Sequence, residues 1–313
     1  MKWKPRKGSN RDVIDIRGAR RGGGSGGGGL GGLGGLGGGG GLPGGKGGVG
    51  GAIGLIIVVI VIGSQLLGGG SGSGGFDINS VLTGAGAAPG ANQPAPLPPD
   101  QDPQKDLKDF SAYVFNDAQS MWENVFQSNG TPYDNAQVVF YSGAVSTGGC
   151  GNATAAVGPF YCPADHRVYL DLSFYKEMEN QLNAGGDFAW AYVIAHEVGH
   201  HIQNQTGVSK EVAAAKRSDP GGAEGISVRT ELQADCYAGV WASTVFDQLE
   251  PGDLDEAFGA AEAVGDDSLQ SRGGGKVNPD SFTHGTSEQR RNWFNKGYEG
   301  GDPAACDTFS GDI

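Results

Sequence analysis

Residues 22–51 are almost entirely glycine with scattered leucine, and a run of that composition cannot bury enough apolar surface to offset the entropy of ordering it. Any hydrophobic core must therefore be built elsewhere. Residues 68–105 are Gly/Ser-rich and then Pro-rich, ending in APLPPDQDPQ, which reads as a flexible and then stiffer linker. These two stretches hold most of the 60 glycines, so whole-chain composition says little about the folded part. What remains, residues 106–313, is one domain with ample length for a core.

Between the two linkers, residues 49–67 (VGGAIGLIIVVIVIGSQLL) carry no charge. As a helix they would span a bilayer core of ~30 Å, which predicts a single transmembrane helix. A cleaved signal peptide is the rival reading, but its apolar core would be shorter and nearer the start of the chain. Residues 1–48 hold nine Lys and Arg against two Asp, and read as a basic, then Gly-rich, disordered tail. The rest holds 13 basic and 33 acidic residues. By the positive-inside rule this predicts a cell-membrane protein with a cytoplasmic N-terminus and an extracytoplasmic 106–313 domain. The acidic balance of that domain argues against nucleic acid as a partner. The expected partners are the lipid bilayer and a peptide or protein.

The chemistry is concentrated in HEVGH, residues 196–200, which follows the apolar run FAWAYVIA, 188–195. That run has no Gly or Pro and predicts a buried helix. Residues i and i+4 share a helix face, so His196 and His200 can reach one metal ion at the ~2.0–2.1 Å zinc prefers. Glu197 lies beside the first ligand, placed to take a proton from a zinc-activated water. The bland alternative is a half-buried helix whose histidines merely hydrogen-bond to neighbours. Against it, two polar rings interrupt a strongly apolar helix, where unpaired groups are costly.

A catalytic zinc takes three protein ligands and leaves one position for water. The metzincin continuation needs Gly and His three and six residues beyond the second histidine, where this chain has Gln203 and Thr206. The other solution is a glutamate on a second helix with an aspartate four residues later. Glu231 and Asp235, in the apolar-rich segment 227–249, supply that pair. Glu231 is then the third ligand, and Asp235 accepts the outer N–H of a ligating histidine. Two solvated helix-surface acids are the alternative; Glu211 and Glu224 are weaker candidates in polar or Gly-rich surroundings.

Of the other histidines, His201 points about 100° away round the helix from His200 and is not expected to bind metal. His166 reads as a surface residue. His284 lies just ahead of a predicted helix, 286–298, where it can serve as a catalytic donor to the oxyanion or be a plain loop histidine. Arg290 and Arg291 read as helix-surface charges before they read as donors. The four cysteines all fall in the 106–313 domain, an even count that suggests disulfides in an oxidising compartment. Three connectivities are possible. Cys150–Cys162, closing a short loop, and Cys236–Cys306, tying the Glu231 helix to the C-terminal segment, are preferred over free thiols.

The remaining pattern predicts an amphipathic first helix marked by Leu107, Phe110, Val114, Ala118, Trp122 and Val125. Strands follow at 136–141 and 167–172, the second read as a substrate-pairing edge strand, and then helices at 227–249, 254–264 and 286–298. The fold class expected is α+β: a zincin-like domain with a small sheet and a mostly helical C-terminal half.

The segments GCGNATAAVGPFYCPADHRVYLD (149–171), YVIAHEVGHHIQ (192–203), RTELQADCYAGVWA (229–242), AVGDDSLQ (263–270) and FTHGTSEQRRNWF (282–294) together resemble the neutral zinc metallopeptidases of bacteria. The resemblance spans essentially all of 106–313. It implies an N-terminal anchor, Zn2+ as cofactor, His196 and His200 as ligands, Glu197 as acid/base and Glu231 as third ligand. The activity it implies is peptide-bond hydrolysis. An inactive zincin-fold binding or regulatory domain of the cell envelope is the competing reading, though such a domain tends to lose its general base. A structural wall protein with the glycine tract as spacer is a third, and it requires no metal.

Overall fold

The computed structural model describes residues 1–4, 12–18, 96–216, 218–219 and 221–313. The predicted 49–67 span lies outside the described residues, and so does most of the two linkers. Among the described residues no helix is long and apolar enough to cross a membrane.

In chain order the elements are β1 (Val13–Asp15), α1 (Lys105–Ser128), β2 (Gln137–Tyr141), β3 (Ala144–Ser146), β4 (Asn152–Thr154), β5 (Phe160–Cys162) and β6 (Arg167–Asp171). The helices α2 (Phe174–Gln181), α3 (Asp187–Gln205), α4 (Val208–Ala215), α5 (Ile226–Thr244), α6 (Asp253–Ala263), α7 (Asp266–Arg272) and α8 (Ser287–Gly300) follow. The main sheet runs β1-β2-β6-β5, with β1, β2 and β6 parallel and β5 antiparallel to β6. This is the expected mixed architecture, a small sheet followed by helices. Arg167–Asp171 is an interior strand, however, and the edge beside the helices is β5, not the strand at 167–172.

Strand alternation builds two cores. Val138, Phe140, Val168 and Leu170 face the helices, while Val139, Tyr141 and Tyr169 pack under the β3–β4 hairpin. Both faces of β2 and β6 are thus buried, as parallel strands require. Helix α1 lays Phe110, Val114, Ala118 and Trp122 into the first core on its i, i+4 stripe. Cys150–Cys162 ties the hairpin to β5, and Cys236–Cys306 ties α5 to the C-terminal 3-10 turn Pro303–Cys306. Both preferred pairings are present, with no free cysteine among the described residues.

Helices α5 and α8 pack backbone to backbone. A Cβ on Gly239 would lie 2.0 Å from the Phe294 carbonyl oxygen, and one on Gly297 2.0 Å from that of Cys236. Only glycines permit this approach, and it drives the N-terminal half of α8 against the part of α5 that carries Asp235.

The start of the chain corrects the expectation of a disordered tail. β1 pairs with β2 in the register Val13↔Val138 to Asp15↔Phe140. Arg17, 8% exposed, bridges Asp15 at 2.8 Å and Asp102 at 3.1 Å. Asp102, at the end of the predicted linker, is likewise buried in the fold. The Met1 α-ammonium lies 2.9 Å from Asp187 and 3.2 Å from Asp253, the first residues of α3 and α6. Trp3 packs on Phe110 and Tyr113. Local composition hid this, because a three-residue strand gains its order from long-range pairing. The N-terminal strand and the sheet are therefore parts of one folded unit.

Candidate metal centre

Helix α3 is buried almost all round, as its apolar sequence requires, and it presents His196 and His200 to α5. The motif glycine between them lets the two helices close. A Cβ on Gly199 would meet the Ala234 carbonyl oxygen at 3.0 Å and its Cα at 3.1 Å. That closeness brings Glu231 onto the histidines. His196 Nε2 lies 3.2 Å from Glu231 Oε2, and His200 Nε2 lies 3.7 Å from Glu231 Oε1. The rings stand 4.7 Å apart at 88°. Ligands at ~2.0–2.1 Å around a tetrahedral zinc sit about 3.3–3.4 Å from one another, so these separations suit such an ion.

The surrounding hydrogen bonds leave both Nε2 atoms facing inward. His196 Nδ1 lies 2.7 Å from Asp235 Oδ1, which also accepts from Tyr192 Oη at 2.6 Å and Arg290 Nη2 at 2.8 Å. Arg290 Nε donates to Asp235 Oδ2 at 2.8 Å. On the other ligand, His200 Nδ1 lies 2.8 Å from Gln203 Oε1. An imidazole that donates from Nδ1 keeps the Nε2 lone pair for metal.

Burial alone would raise the Asp235 carboxyl, but Arg290 and His196 outweigh it and hold it down at about 2. Burial likewise opposes the charged form of His196, yet Asp235 and Glu231 push that imidazole up to about 9. Glu231 is held well below the usual range, His200 and His196 overriding its burial. With its imidazoles neutral the trio carries the single negative charge of Glu231, which a bound cation would compensate. A divalent metal held there would take the place of protons.

Glu197 is 6% exposed, and its Oε2 is buried with no hydrogen-bond partner among the described residues. Burial raises its carboxyl above the ordinary value, opposed by the two histidines and by the backbone of Tyr161 on β5, and reinforced by Glu231. A buried carboxylate oxygen without a partner beside the trio has the capacity to accept a proton.

His284 is buried ahead of α8, near enough to Glu231 for its charge to act on that carboxylate. Asp266, the first residue of α7, fixes it: Oδ2 accepts the backbone N–H of Thr283, His284 and Gly285 at 2.7, 2.6 and 3.1 Å, and Oδ1 lies 3.2 Å from His284 Nδ1.

His201 is not in the trio; its ring is fully buried between Tyr161 Oη at 2.9 Å and the Asp134 carbonyl at 2.7 Å. His166 is half-buried rather than a surface residue, with its ring 5.8 Å from that of His201. Glu211 and Glu224 are exposed. Arg291 pairs with Glu262 on the surface as expected. Arg290 does not: it is 3% exposed and belongs to the site. Tyr192, Gln203 and Asp266 were not singled out in sequence, although Tyr192 precedes His196 by four residues and Gln203 follows His200 by three, both same-face spacings. A second acidic trio, Asp187, Asp253 and Glu256, is taken up with the Met1 ammonium and the Phe188 N–H.

A family model described as "Putative neutral zinc metallopeptidase" matches residues 1–309. The chain belongs to this family. The match includes the N-terminal segment that joins the sheet. The chain is 48% identical over 207 residues to "Uncharacterized protein YpfJ" of Escherichia coli K12, covering 65% of this chain and 72% of that protein. It is 44% identical over 208 residues to "Uncharacterized protein Rv2575" of Mycobacterium tuberculosis H37Rv, covering 62% of this chain and 68% of that one. No solved structure matches. Family membership implies zinc and a peptide substrate.

Proposed function

We propose that this family member is a zinc-dependent metalloendopeptidase, and that His196, His200 and Glu231 hold the ion. The observation that carries the reading is the convergence of those three side chains on one point with the orphaned Glu197 Oε2 beside them. Bound there, zinc supplies Lewis acidity and an activated water. Glu197 takes the proton from that water at Oε2 and delivers it to the leaving amine nitrogen. Its raised affinity for protons suits both halves of the transfer. His284, oriented by Asp266, donates from its ring to the scissile carbonyl oxygen as negative charge develops there.

Among the described residues strand β5 is the edge of the sheet beside the helices, and its Tyr161 backbone adjoins Glu197. An extended peptide pairing along that edge would present its backbone to the base. The two disulfides support the reading of an oxidising, extracytoplasmic compartment for the domain.

The reading is tested by stripping the full chain with a chelator and assaying cleavage of an unfolded protein. Activity is expected to vanish and to return with one equivalent of zinc per chain, whereas Glu231→Gln is expected to stay inactive on zinc addition. Cleavage that persists in the chelator-stripped chain would overturn it.

A further inference from the structure

The two histidines of the trio are held differently. His196 leans on a carboxylate backed by an arginine, whereas His200 leans on the neutral amide of Gln203, which is 1% exposed. We infer that Gln203 is a positioning residue that sets the tautomer of His200 and so keeps its Nε2 free for metal. The inference rests on the zinc reading above.

The orientation of the amide follows from its other partners. Gln203 Nε2 donates to the Thr230 carbonyl at 2.7 Å and to Gln233 Oε1 at 3.1 Å. A backbone carbonyl only accepts, so the amide nitrogen must face Thr230 and the oxygen must face His200. Gln233 is fixed in the same way, because its Nε2 donates to the Cys306 carbonyl at 3.0 Å. Cys306 is in turn disulfide-bonded to Cys236 on α5, the helix that carries Glu231. One directed line therefore runs from a disulfide-tethered carbonyl through two glutamines to a ligand ring. With oxygen presented to Nδ1, the neutral imidazole must carry its proton there. The inward Nε2, 3.7 Å from Glu231 Oε1, keeps its lone pair.

A neutral partner also matters for the chemistry. Asp235 and Arg290 cancel each other's charge, so Glu231 is left as the uncompensated anion of the trio. An ion bound there keeps a net positive charge with which to polarise a carbonyl. A second ionised carboxylate behind His200 would reduce it.

The test uses the full chain and Gln203→Met, which keeps the bulk and removes the amide. In the zinc-free protein at alkaline pH, long-range proton–nitrogen NMR of His200 is expected to show the Nδ1–H tautomer in the wild type and a shift towards Nε2–H in the variant. Zinc affinity, read by competition with a chelator, is expected to fall by about 10–100-fold. The thermal midpoint of the zinc-free form separates this from a general loss of packing, which would lower stability and leave the tautomer alone. An Nε2–H tautomer in the wild type overturns the inference without any variant. So does a variant with unchanged tautomer and zinc affinity within about twofold of wild type. If His196→Ala and Glu231→Gln also bind zinc as tightly as wild type, the metal reading fails, while the tautomer still decides the role of Gln203.

Discussion

Asp235 accepts four hydrogen bonds from three side chains, and that concentration makes it the most sensitive point behind the metal trio. Replacing Arg290 by Met leaves a fully buried carboxylate without its counter-charge. Breaking such a pair costs about 3–5 kcal/mol, which thermal or denaturant unfolding of Arg290→Met will read. His201 gives a pH signature of a different sign from an acid-stabilised site. Burial lowers its imidazole to about 4 from the ordinary 6.5, so the unfolded chain takes up its proton first as pH falls. Its contribution is complete above about pH 6.5 and is lost between there and about pH 4. Unfolding free energies measured across that window are expected to fall in the wild type and to be flatter in His201→Gln. The placement of HEVGH and of the Glu231/Asp235 pair was legible because it follows from spacing on a single helix each. Arg290 was not legible, because which face of α8 is buried depends on its contact with α5. No local pattern in RRNWF carries that.

Helix packing fixes the metal geometry through glycine. At Gly199 a methyl group would push on the Ala234 backbone and move α5, and Glu231 with it, away from the histidines. Gly199→Ala is expected to cost about 1–3 kcal/mol in thermal unfolding and to weaken zinc binding in chelator competition. Unchanged zinc affinity in a folded variant would contradict the packing argument. The long helices α1, α3, α5 and α8 were foreseen to within a few residues at most ends, since each carries an extended apolar stripe or run. Helices α2, α4 and α7, only seven or eight residues each, were missed because so few turns give little periodicity to detect. The edge strand was misassigned for a related reason. A three-residue segment such as β5 gives no clue to its sheet position, which pairing with β6 decides.

At the scale of the molecule, the described residues 1–4 and 12–18 belong to the same folded unit as the domain. A fragment of residues 106–313 would expose the β2 edge, lose Asp102 together with its partner Arg17, and leave Asp187 and Asp253 without the Met1 ammonium. It is expected to melt below the full chain and to associate through the bare edge. The same packing predicts that single cysteines at exposed Lys4 and Lys276 label from the same side of a membrane with an impermeant maleimide. The native cysteines are disulfide-bonded and silent. Labelling from opposite sides would show that the strand pairing does not form in the cell. The function proposed for the assembled molecule turns on one carboxylate, and Glu197→Gln in the full chain tests it most directly. The account predicts one zinc per chain in both proteins, and peptide cleavage in the wild type reduced by a factor of about 10²–10⁴ or more in the variant. Cleavage by Glu197→Gln at the wild-type rate, with zinc bound, would contradict it.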